Sequence, residues 1–184
     1  MLSILSDDME IIRAFNQKHS KTAAFEILID KYKKKIYWHV RRIVIDHDDA
    51  DDAVQNTFIK VWENLEQFRE DSKFYTWLYR VATNEALQLL KKKRTKYLVP
   101  MDDIDFELSE TLHAGSYFNG NAAELKLQTA ILTLPEKQRL VFNMKYYQAL
   151  KYEEIEAILG TSVGALKASY HHAVKKIEEY LKHD

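Results

Sequence analysis

Apolar side chains recur every three or four residues between Ala24 and Val44, as the buried face of a long helix requires. The stripe consists of Ala24, Phe25, Leu28, Ile29, Tyr32, Ile36, Val40, Ile43 and Val44. The chain of 184 residues contains only four glycines and two prolines, so it has few of the residues that strand-connecting turns need. We therefore predict an all-α protein.

The same spacing divides the chain into two helical parts. Helices are predicted at 7–18 and 20–44. After a turn at 46–48, a third predicted helix continues to about 68. Further predicted helices cover 74–94, 124–134, 140–147, 152–159 and 165–181. Between 97 and 121 the periodicity is lost and five acidic residues gather. We predict two small helical domains, at 1–96 and 122–184, joined by an acidic linker at 97–121.

The net charge of −1 conceals an uneven distribution of charge. Residues 1–96 contain 18 basic and 15 acidic side chains, residues 97–123 contain no basic and 5 acidic ones, and residues 124–184 contain 9 and 8. Two weakly basic domains therefore flank an acidic connector. A chain with so few net cations is not expected to bind duplex DNA tightly by charge alone.

Composition also limits the kinds of site that the chain can carry. Cysteine is absent, and apart from the neighbours His171 and His172, which point apart on a helix, the histidines are isolated. The sequence shows no phosphate loop, nucleophile elbow, signal-peptide pattern or apolar run of membrane-spanning length. We expect a cytosolic protein with no enzymatic activity, cofactor, metal, membrane insertion or small-molecule substrate.

Two neighbouring segments carry candidate binding surfaces. The acidic helix start at 49–55 continues into a mixed polar and apolar strip that suits docking on another helix, although acidic residues also simply favour a helix N-terminus. Further on, the aromatic residues Phe74, Tyr75, Trp77 and Tyr79 cannot all face one core, and Arg69, Lys73 and Arg80 lie nearby. Exposed aromatics among cations suit the unstacked bases of a single strand, whereas buried ones would only be core.

Near the C-terminus, a short helix, a turn at 160–164 and a longer helix predict a helix-turn-helix. Ile155, Ile158 and Leu159 are expected to pack on the longer helix and leave its outer face free to contact a major groove. The structural alternative is an ordinary α-hairpin.

Four blocks of sequence together resemble one family. They are DADDAVQNTFIKVW at 49–62, FREDSKFYTWLYR at 68–80 with Asn84, LPEKQR at 134–139, and YEEIEAILG at 152–160 with SVG at 162–164. In this order the blocks resemble the bacterial RNA polymerase sigma factors of the sigma-70 family, in particular the compact extracytoplasmic function (ECF) group. That resemblance covers nearly the whole chain, and it implies a protein that binds core RNA polymerase and directs promoter recognition and transcription initiation.

The resemblance also implies roles for single residues. Docking on the coiled coil of the largest polymerase core subunit would use Asp49, Asp52, Gln55, Asn56, Ile59 and Trp62. The separated minus-ten strand, with one flipped base, would be held by Arg69, Asp71, Ser72, Lys73, Tyr75, Trp77, Arg80 and Asn84, and its adjoining backbone by Lys91, Lys92, Lys93 and Arg94. The second domain would sit on the flap of the other large subunit and read the duplex minus-thirty-five element with Lys167, Ser169, His171, His172 and Lys175.

The reading helix departs from the family pattern. Where many members have Thr-Val-Lys-Ser-Arg and a further Arg, this chain has ALKAS at 165–169 and His172, so two permanent cations are missing. We therefore expect this domain alone to bind DNA weakly at neutral pH and in a salt-dependent manner.

Two further expectations concern the linker and a partner protein. The acidic linker is expected either to occupy the RNA exit path or to be a solvated tether. An anti-sigma factor is expected as a partner.

Two other functions compete with this interpretation. A conventional helix-turn-helix regulator with an N-terminal sensor or dimerisation domain would share the last domain and bind intact duplex without polymerase. A helical adaptor that mimics a sigma factor would still bind its partner after substitution of the aromatic residues. The regulator has no need for a docking strip beside exposed aromatics at 49–94.

Overall fold

The computed structural model describes residues 7–69, 71–97 and 122–183, and these ranges contain eight α-helices and no strand, which confirms the predicted all-α fold. The helices are α1 (Asp8–Phe15), α2 (Lys21–Val44), α3 (His47–Asn64), α4 (Phe74–Tyr97), α5 (Ala122–Leu132), α6 (Glu136–Tyr146), α7 (Tyr152–Leu159) and α8 (Val163–His183). A 3-10 turn at Leu65–Gln67 follows α3. The predicted linker at 97–121 lies outside the described residues, except for Tyr97 at the end of α4.

Helix termini follow local capping chemistry. The Asp7 carboxylate accepts from the Met9 backbone N–H at 2.9 Å and begins α1, and the Asp46 carboxylate accepts from the Asp49 N–H at 3.0 Å and begins α3. Helix α1 ends at Phe15, three residues before its predicted end. The Ser20 hydroxyl donates to the Ala14 carbonyl at 2.6 Å, and the same carbonyl also accepts from the Gln17 backbone N–H at 3.2 Å.

Helices α1–α4 form the first helical unit. Helix α2 lies at its centre and packs against α1, α3 and α4. Its predicted stripe is buried except for the half-buried Ile29, with Leu28 at 1% and Ile36 and Val40 at 0% exposure. Burial of such side chains stabilises the unit by roughly 1.5–3 kcal/mol for each large aliphatic residue. It also fixes the orientation of α3 and α4 relative to α2.

Helices α5–α8 form the second helical unit, and one apolar cluster joins the two units. That cluster includes Leu140, Met144 and Ile155 of the second unit together with the core of the first. Helix α4 packs against α7, and α2 packs against α6. A separate, smaller cluster lies wholly within the second unit and consists of Ala130, Ile131, Leu134, Phe142, Ala173 and Ile177.

Helices α7 and α8 form the predicted helix-turn-helix. Gly160 ends α7 with a φ of +65°, a left-handed conformation that glycine adopts without the steric cost of a Cβ atom. Ile155 and Leu166 are both 0% exposed and hold the two helices together. The turn therefore leaves one face of α8 directed away from the core.

Candidate nucleic-acid and polymerase interfaces

A pocket lies where the end of α3 meets the start of α4. It has a volume of about 270 Å³ and is lined by Asn64, Gln67, Phe68, Arg69, Asp71, Ser72, Trp77 and Arg80. Arg69, Asp71 and Arg80 are exposed, whereas Ser72 and Trp77 are half-buried. Five of the predicted minus-ten residues thus line one concave site that combines an aromatic side chain with two guanidinium groups.

The aromatic side chains around this pocket divide into core and rim. Phe74 is 2% and Tyr79 is 7% exposed, so both belong to the core, while the half-buried Trp77 lines the pocket. Tyr75 is also half-buried but lines a different cavity, together with Arg42 and Tyr147. Phe74 supports Trp77 from below, with 5.9 Å between ring centroids, and Phe68 lies 5.5 Å from the same indole. This packing holds the Trp77 ring in place, and a fixed ring is what a stacking platform requires.

Cations continue from the pocket along α4. Lys73, Asn84, Lys91, Lys92 and Lys93 are exposed, while the Arg94 side chain lies outside the described residues. Lys93 forms an ion pair with Asp49 at the start of α3. The structure therefore joins a predicted DNA-backbone contact to a predicted polymerase contact, which no local sequence pattern indicated.

An exposed strip runs along α3, and we call it the docking strip. It consists of Asp52, Gln55, Asn56 and Ile59. Ile59 is 55% exposed, although it is a large aliphatic residue, and Gln55 and Asn56, four and three residues before it, are polar. Such an isolated apolar anchor in a polar rim is typical of a helical docking face.

Two predicted docking residues of α3 are less exposed than the docking strip. Trp62 is half-buried and packs edge-on against Phe15 and Phe25, with centroid distances of 5.2 and 5.0 Å, and Lys21 Nζ lies 4.9 Å from its ring centroid. Asp49 has a side chain only 14% exposed and pairs with Lys93. A groove of about 490 Å³ between α3 and α4 nevertheless contains Asp49, Asp52 and Asn56.

The outer face of α8 presents the residues predicted to read duplex DNA. Lys167, His171, His172 and Lys175 are exposed, and Ser169 is half-buried. By helix geometry, His171, His172 and Lys175 lie on the side of α8 opposite the buried Leu166, Ala173 and Ile177, and Lys167 and Ser169 lie on its two flanks. Sequence reasoning gave no role to Tyr152, whose ring centroid lies 5.8 Å from Lys167 Nζ and 4.9 Å from Lys145 Nζ.

Comparison with known proteins identifies the family. The family model for Sigma-70 region 2 matches residues 28–96, and that for Sigma-70, region 4 matches residues 124–177. The ECF RNA polymerase sigma factor SigW of Bacillus subtilis (strain 168) is 32% identical over 167 residues, which cover 86% of this chain and 89% of SigW. The chain belongs to the ECF sigma factors. The ECF RNA polymerase sigma-E factor of Escherichia coli (strain K12) is likewise 33% identical over 165 residues, 84% of this sigma factor and 85% of its own length.

Solved structures show the same fold. CnrH, in its complex with the cytosolic domain of CnrY, matches 97% of this sigma factor and 98% of its own chain with a TM-score of 0.70 and 24% identity. RpoE of Bartonella quintana, in its complex with the anti-sigma factor NepR, matches 87% of this chain and 98% of its own with a TM-score of 0.68 and 21% identity. The resemblance predicted from the sequence is confirmed. This protein binds core RNA polymerase and promoter DNA and directs transcription initiation.

Sequence reasoning missed the polar contacts between the two helical units of the sigma factor. His39 of α2 is 1% exposed; its Nδ1 atom lies 2.8 Å from Gln148 Nε2, and its Nε2 atom lies 2.8 Å from Thr83 Oγ1. Since an amide nitrogen donates, Nδ1 accepts, and the neutral ring carries its proton on Nε2. Burial, with a smaller contribution from the nearby Arg42 guanidinium, lowers the pKa of His39 to about 3.

Arg42 forms a second contact between the units. Its guanidinium lies 4.1 Å from the Tyr147 ring centroid, and its Nη1 atom donates to the Trp38 carbonyl at 3.1 Å. Burial lowers the pKa of Arg42 and raises that of Tyr147 to about 12. With its pKa at about 12, the Tyr147 phenol stays neutral at neutral pH, and the contact places a guanidinium group on its aromatic face.

Within residues 7–69, 71–97 and 122–183, no group of three or more histidine, aspartate or glutamate residues is arranged to hold a metal ion. Over the same part of the chain, no helix combines the length and apolar character that crossing a bilayer requires.

Proposed function

We propose that the first helical unit carries both the main polymerase contact and the minus-ten contact of this sigma factor, and that the second reads the minus-thirty-five element. The observation that carries this division is the placement of the α3–α4 pocket beside the docking strip on one rigid helical unit. In terms of sequence, we assign residues 1–96 to region 2, 97–121 to the acidic linker and 122–184 to region 4.

The pocket suits a base that has left the DNA stack. Trp77 offers a ring face held by Phe68 and Phe74, and base–aromatic stacking contributes roughly 1–3 kcal/mol per base. Arg69 and Arg80 at the rim supply cations for phosphates, and Ser72 and Asp71 supply hydrogen-bonding groups for a base edge. Further along α4, Asn84 and Lys91 lie on the same side of the helix as Arg80, Lys92 and Lys93 extend the basic end around it, and Arg94 follows them in the sequence.

The docking strip suits a helical partner. Ile59 supplies the apolar anchor, Gln55 and Asn56 can exchange hydrogen bonds, and Asp52 favours a basic counterpart. Asp49 extends this surface into the groove beside α4. The role of Trp62 is then to position α3 through its contacts with Phe15 and Phe25.

The second helical unit offers few permanent cations for contacts with DNA. Lys167 and Lys175 are the permanent cations among the five assigned readers, since Ser169 is neutral and His171 and His172 depend on pH. We propose that this unit contributes sequence preference only while the first unit and polymerase hold the DNA nearby.

We further propose a regulatory partner and a cellular place of action. CnrH is seen with the cytosolic domain of CnrY, and RpoE is seen with NepR, which is named an anti-sigma factor. An anti-sigma factor is accordingly the partner that we propose for this chain in the cytoplasm, where polymerase is found. The protein acts by binding, with no catalytic step of its own.

Two sets of substitutions test the division of roles. Trp77→Ala is expected to reduce open-complex formation on promoter fragments strongly while leaving the affinity for core polymerase within about twofold, because stacking energy of roughly 1–3 kcal/mol is lost only when DNA melts. The pair Gln55→Ala and Ile59→Ala is expected to reduce core polymerase binding instead. Glu26→Ala, at an exposed position of α2 and outside the docking strip, is the control.

The measurements are a pull-down of the full chain with core RNA polymerase and run-off transcription on genomic fragments. Circular dichroism establishes that each variant folds. Saturable polymerase binding with discrete start sites supports the assignment. Equal losses of polymerase binding and of DNA opening in both sets would overturn the division between pocket and docking strip.

A further inference from the structure

Two adjacent histidines lie at the centre of the outer face of α8. Counted from the buried Leu166 by helix geometry, His171 lies about 140° and His172 about 240° around the axis, one on each side of the point opposite the core. Both side chains are exposed. Ala168, one turn earlier, lies between them and is exposed as well, so its methyl group leaves both imidazoles free to project. The most outward part of this helix therefore carries two titratable rings.

No negative charge on α8 lies next to these rings. The residues three and four positions away include the cations Lys167, Lys175 and Lys176 and no aspartate or glutamate. The centroids of the two rings are 5.9 Å apart. Apart from this ring contact, neither imidazole forms a hydrogen bond or an ion pair within the described residues. Each ring therefore keeps both of its nitrogen atoms available for a ligand.

The helices packed against α8 do not neutralise this face either. Helices α5, α6 and α7 contact α8, and their carboxylates are Glu124, Glu136, Glu153, Glu154 and Glu156. Glu154 accepts from the Tyr75 hydroxyl and Glu156 from the Val163 backbone N–H, and none of the five pairs with His171 or His172. The cations of these helices are Lys126, Lys137, Arg139 and Lys145. Lys145 lies on the ring of Tyr152, which also contacts Lys167. The outer face of α8 is therefore positive or neutral, which suits a polyanion.

Protonation changes what the two rings can bind. A neutral imidazole has one donor and one acceptor, whereas the protonated ring has two donors and a positive charge. Phosphate oxygens and the O6 and N7 atoms of guanine only accept, so the protonated ring fits the major groove and its backbone better. A phosphate beside an imidazole in turn favours the charged ring. Binding of DNA and uptake of a proton therefore favour each other, as thermodynamic linkage requires.

We propose that His171 and His172 are proton-dependent DNA contacts, so that α8 binds the minus-thirty-five duplex more tightly as the pH falls. This inference rests on the proposed minus-thirty-five role of α8. The lysines of this face supply positive charge at any pH near neutral, whereas histidine side chains ordinarily take up a proton near pH 6.5. Between pH 7.5 and 5.5 the outer face can therefore gain up to two positive charges.

Three variants separate these imidazoles from the other titrating groups. The double variant His171→Gln with His172→Gln keeps hydrogen-bonding groups but cannot become charged, and His172→Arg supplies a permanent cation. His19→Gln, which removes an exposed histidine before α2, is the matched control. Every variant retains His39, so acid acts on that buried residue equally in all of them, and circular dichroism at both pH values establishes that each variant folds.

Fluorescence anisotropy measures the binding of the full-length chain to a short mixed-sequence duplex at pH 7.5 and 5.5, over a range of low salt concentrations. The wild type and His19→Gln should bind about tenfold more tightly at pH 5.5, because charge-assisted contacts form. Their slope of log affinity against log salt should steepen by about 0.9 for each histidine that meets a phosphate. The double glutamine variant should lose most of both changes. His172→Arg should bind more tightly than wild type at pH 7.5 and show about half of its pH dependence.

NMR of the imidazole signals provides a second measurement. Adding the duplex should raise the titration midpoints of His171 and His172 and leave that of His19 unchanged, because a phosphate favours the charged ring. Equal pH dependence of DNA binding in the wild type and the double glutamine variant would overturn the proposal, as would midpoints of His171 and His172 that do not respond to DNA.

Lys175→Gln at pH 7.5 tests the minus-thirty-five role of α8 by itself. A salt slope that is smaller by about 0.9 supports that role whatever the histidines do. An unchanged slope would contradict the proposed function of α8. A smaller slope in Lys175→Gln together with an unresponsive histidine pair would contradict only the proton dependence, so the two proposals can fail separately.

Discussion

Acid should destabilise this sigma factor through one buried histidine. His39 lies between α2, α4 and the segment that carries Gln148, and it is 1% exposed. Its folded-state pKa of about 3 lies well below the ordinary value of 6.5, chiefly because burial disfavours the charged ring. Below pH 6.5 the unfolded chain therefore takes up a proton at this residue that the folded chain does not, and stability falls as the pH falls from 6.5 towards 3.

The size of the effect follows from these two pKa values. Between pH 7.5 and 5.5 the folded His39 stays neutral, whereas in the unfolded chain the protonated fraction rises from about one-tenth to about nine-tenths. The resulting loss in the free energy of unfolding from this single residue is about 1.4 kcal/mol. Because His39 bridges the two helical units through Gln148, the same change favours their separation.

Urea unfolding at pH 7.5 and 5.5 measures this loss in the wild type and in His39→Asn. Asparagine places an acceptor near the position of Nδ1 but does not titrate, and the other histidines contribute equally to both proteins. The wild type is expected to lose about 1.4 kcal/mol more than the variant. Equal losses, or a His39 resonance in NMR that titrates with a midpoint near pH 6.5, would refute the reasoning.

Three further expectations concern single positions. Gly160→Ala should lower the free energy of unfolding by about 1 kcal/mol, because a Cβ at a φ of +65° is strained although no atom lies within 4 Å of it, and thermal unfolding measures this change. Ile155→Ala should cost about 2–5 kcal/mol in urea unfolding, since this side chain is fully buried, while Ile59→Ala at an exposed position should stay within about 0.5 kcal/mol. Lys167→Gln should reduce the slope of log affinity against log salt by about 0.9 in promoter-duplex titrations if this lysine contacts one phosphate, and an unchanged slope would exclude that contact.

Local patterns were sufficient to predict the helices. The stripe of α2 needs only the three- and four-residue spacing of its apolar side chains, and Leu28 and Ile36 are buried as that spacing requires. The turn at Gly160 and the aspartate at the start of α3 likewise follow from chemistry within a few residues. The predicted end of α1 was too late because the Ser20 hydroxyl bonds back to Ala14 across a turn that periodicity does not encode.

The candidate surfaces could be predicted only in part, because burial depends on neighbours that are remote in sequence. Spacing alone places Trp62 on the face of Gln55 and Ile59, yet α1 and α2 cover that end of α3 through Phe15 and Phe25. The burial of His39 was predictable, since it falls three residues after Ile36 on the apolar stripe. Its partner Gln148 is 109 residues away in the sequence. Tyr75 is likewise 79 residues from Glu154, which accepts its hydrogen bond. Neither contact could be predicted from local sequence patterns.

The Lys93–Asp49 ion pair links the two proposed binding faces of the first unit, because Lys93 belongs to the DNA face and Asp49 to the docking face. A phosphate that draws Lys93 towards DNA takes that cation away from Asp49, and a polymerase cation that binds Asp49 releases Lys93 in the same way. Each event therefore lowers the free-energy cost of the other, and thermodynamic linkage requires the two effects to be equal. One pair of side chains is enough for the docking face to signal its occupancy to the DNA face, with no movement of α3 or α4.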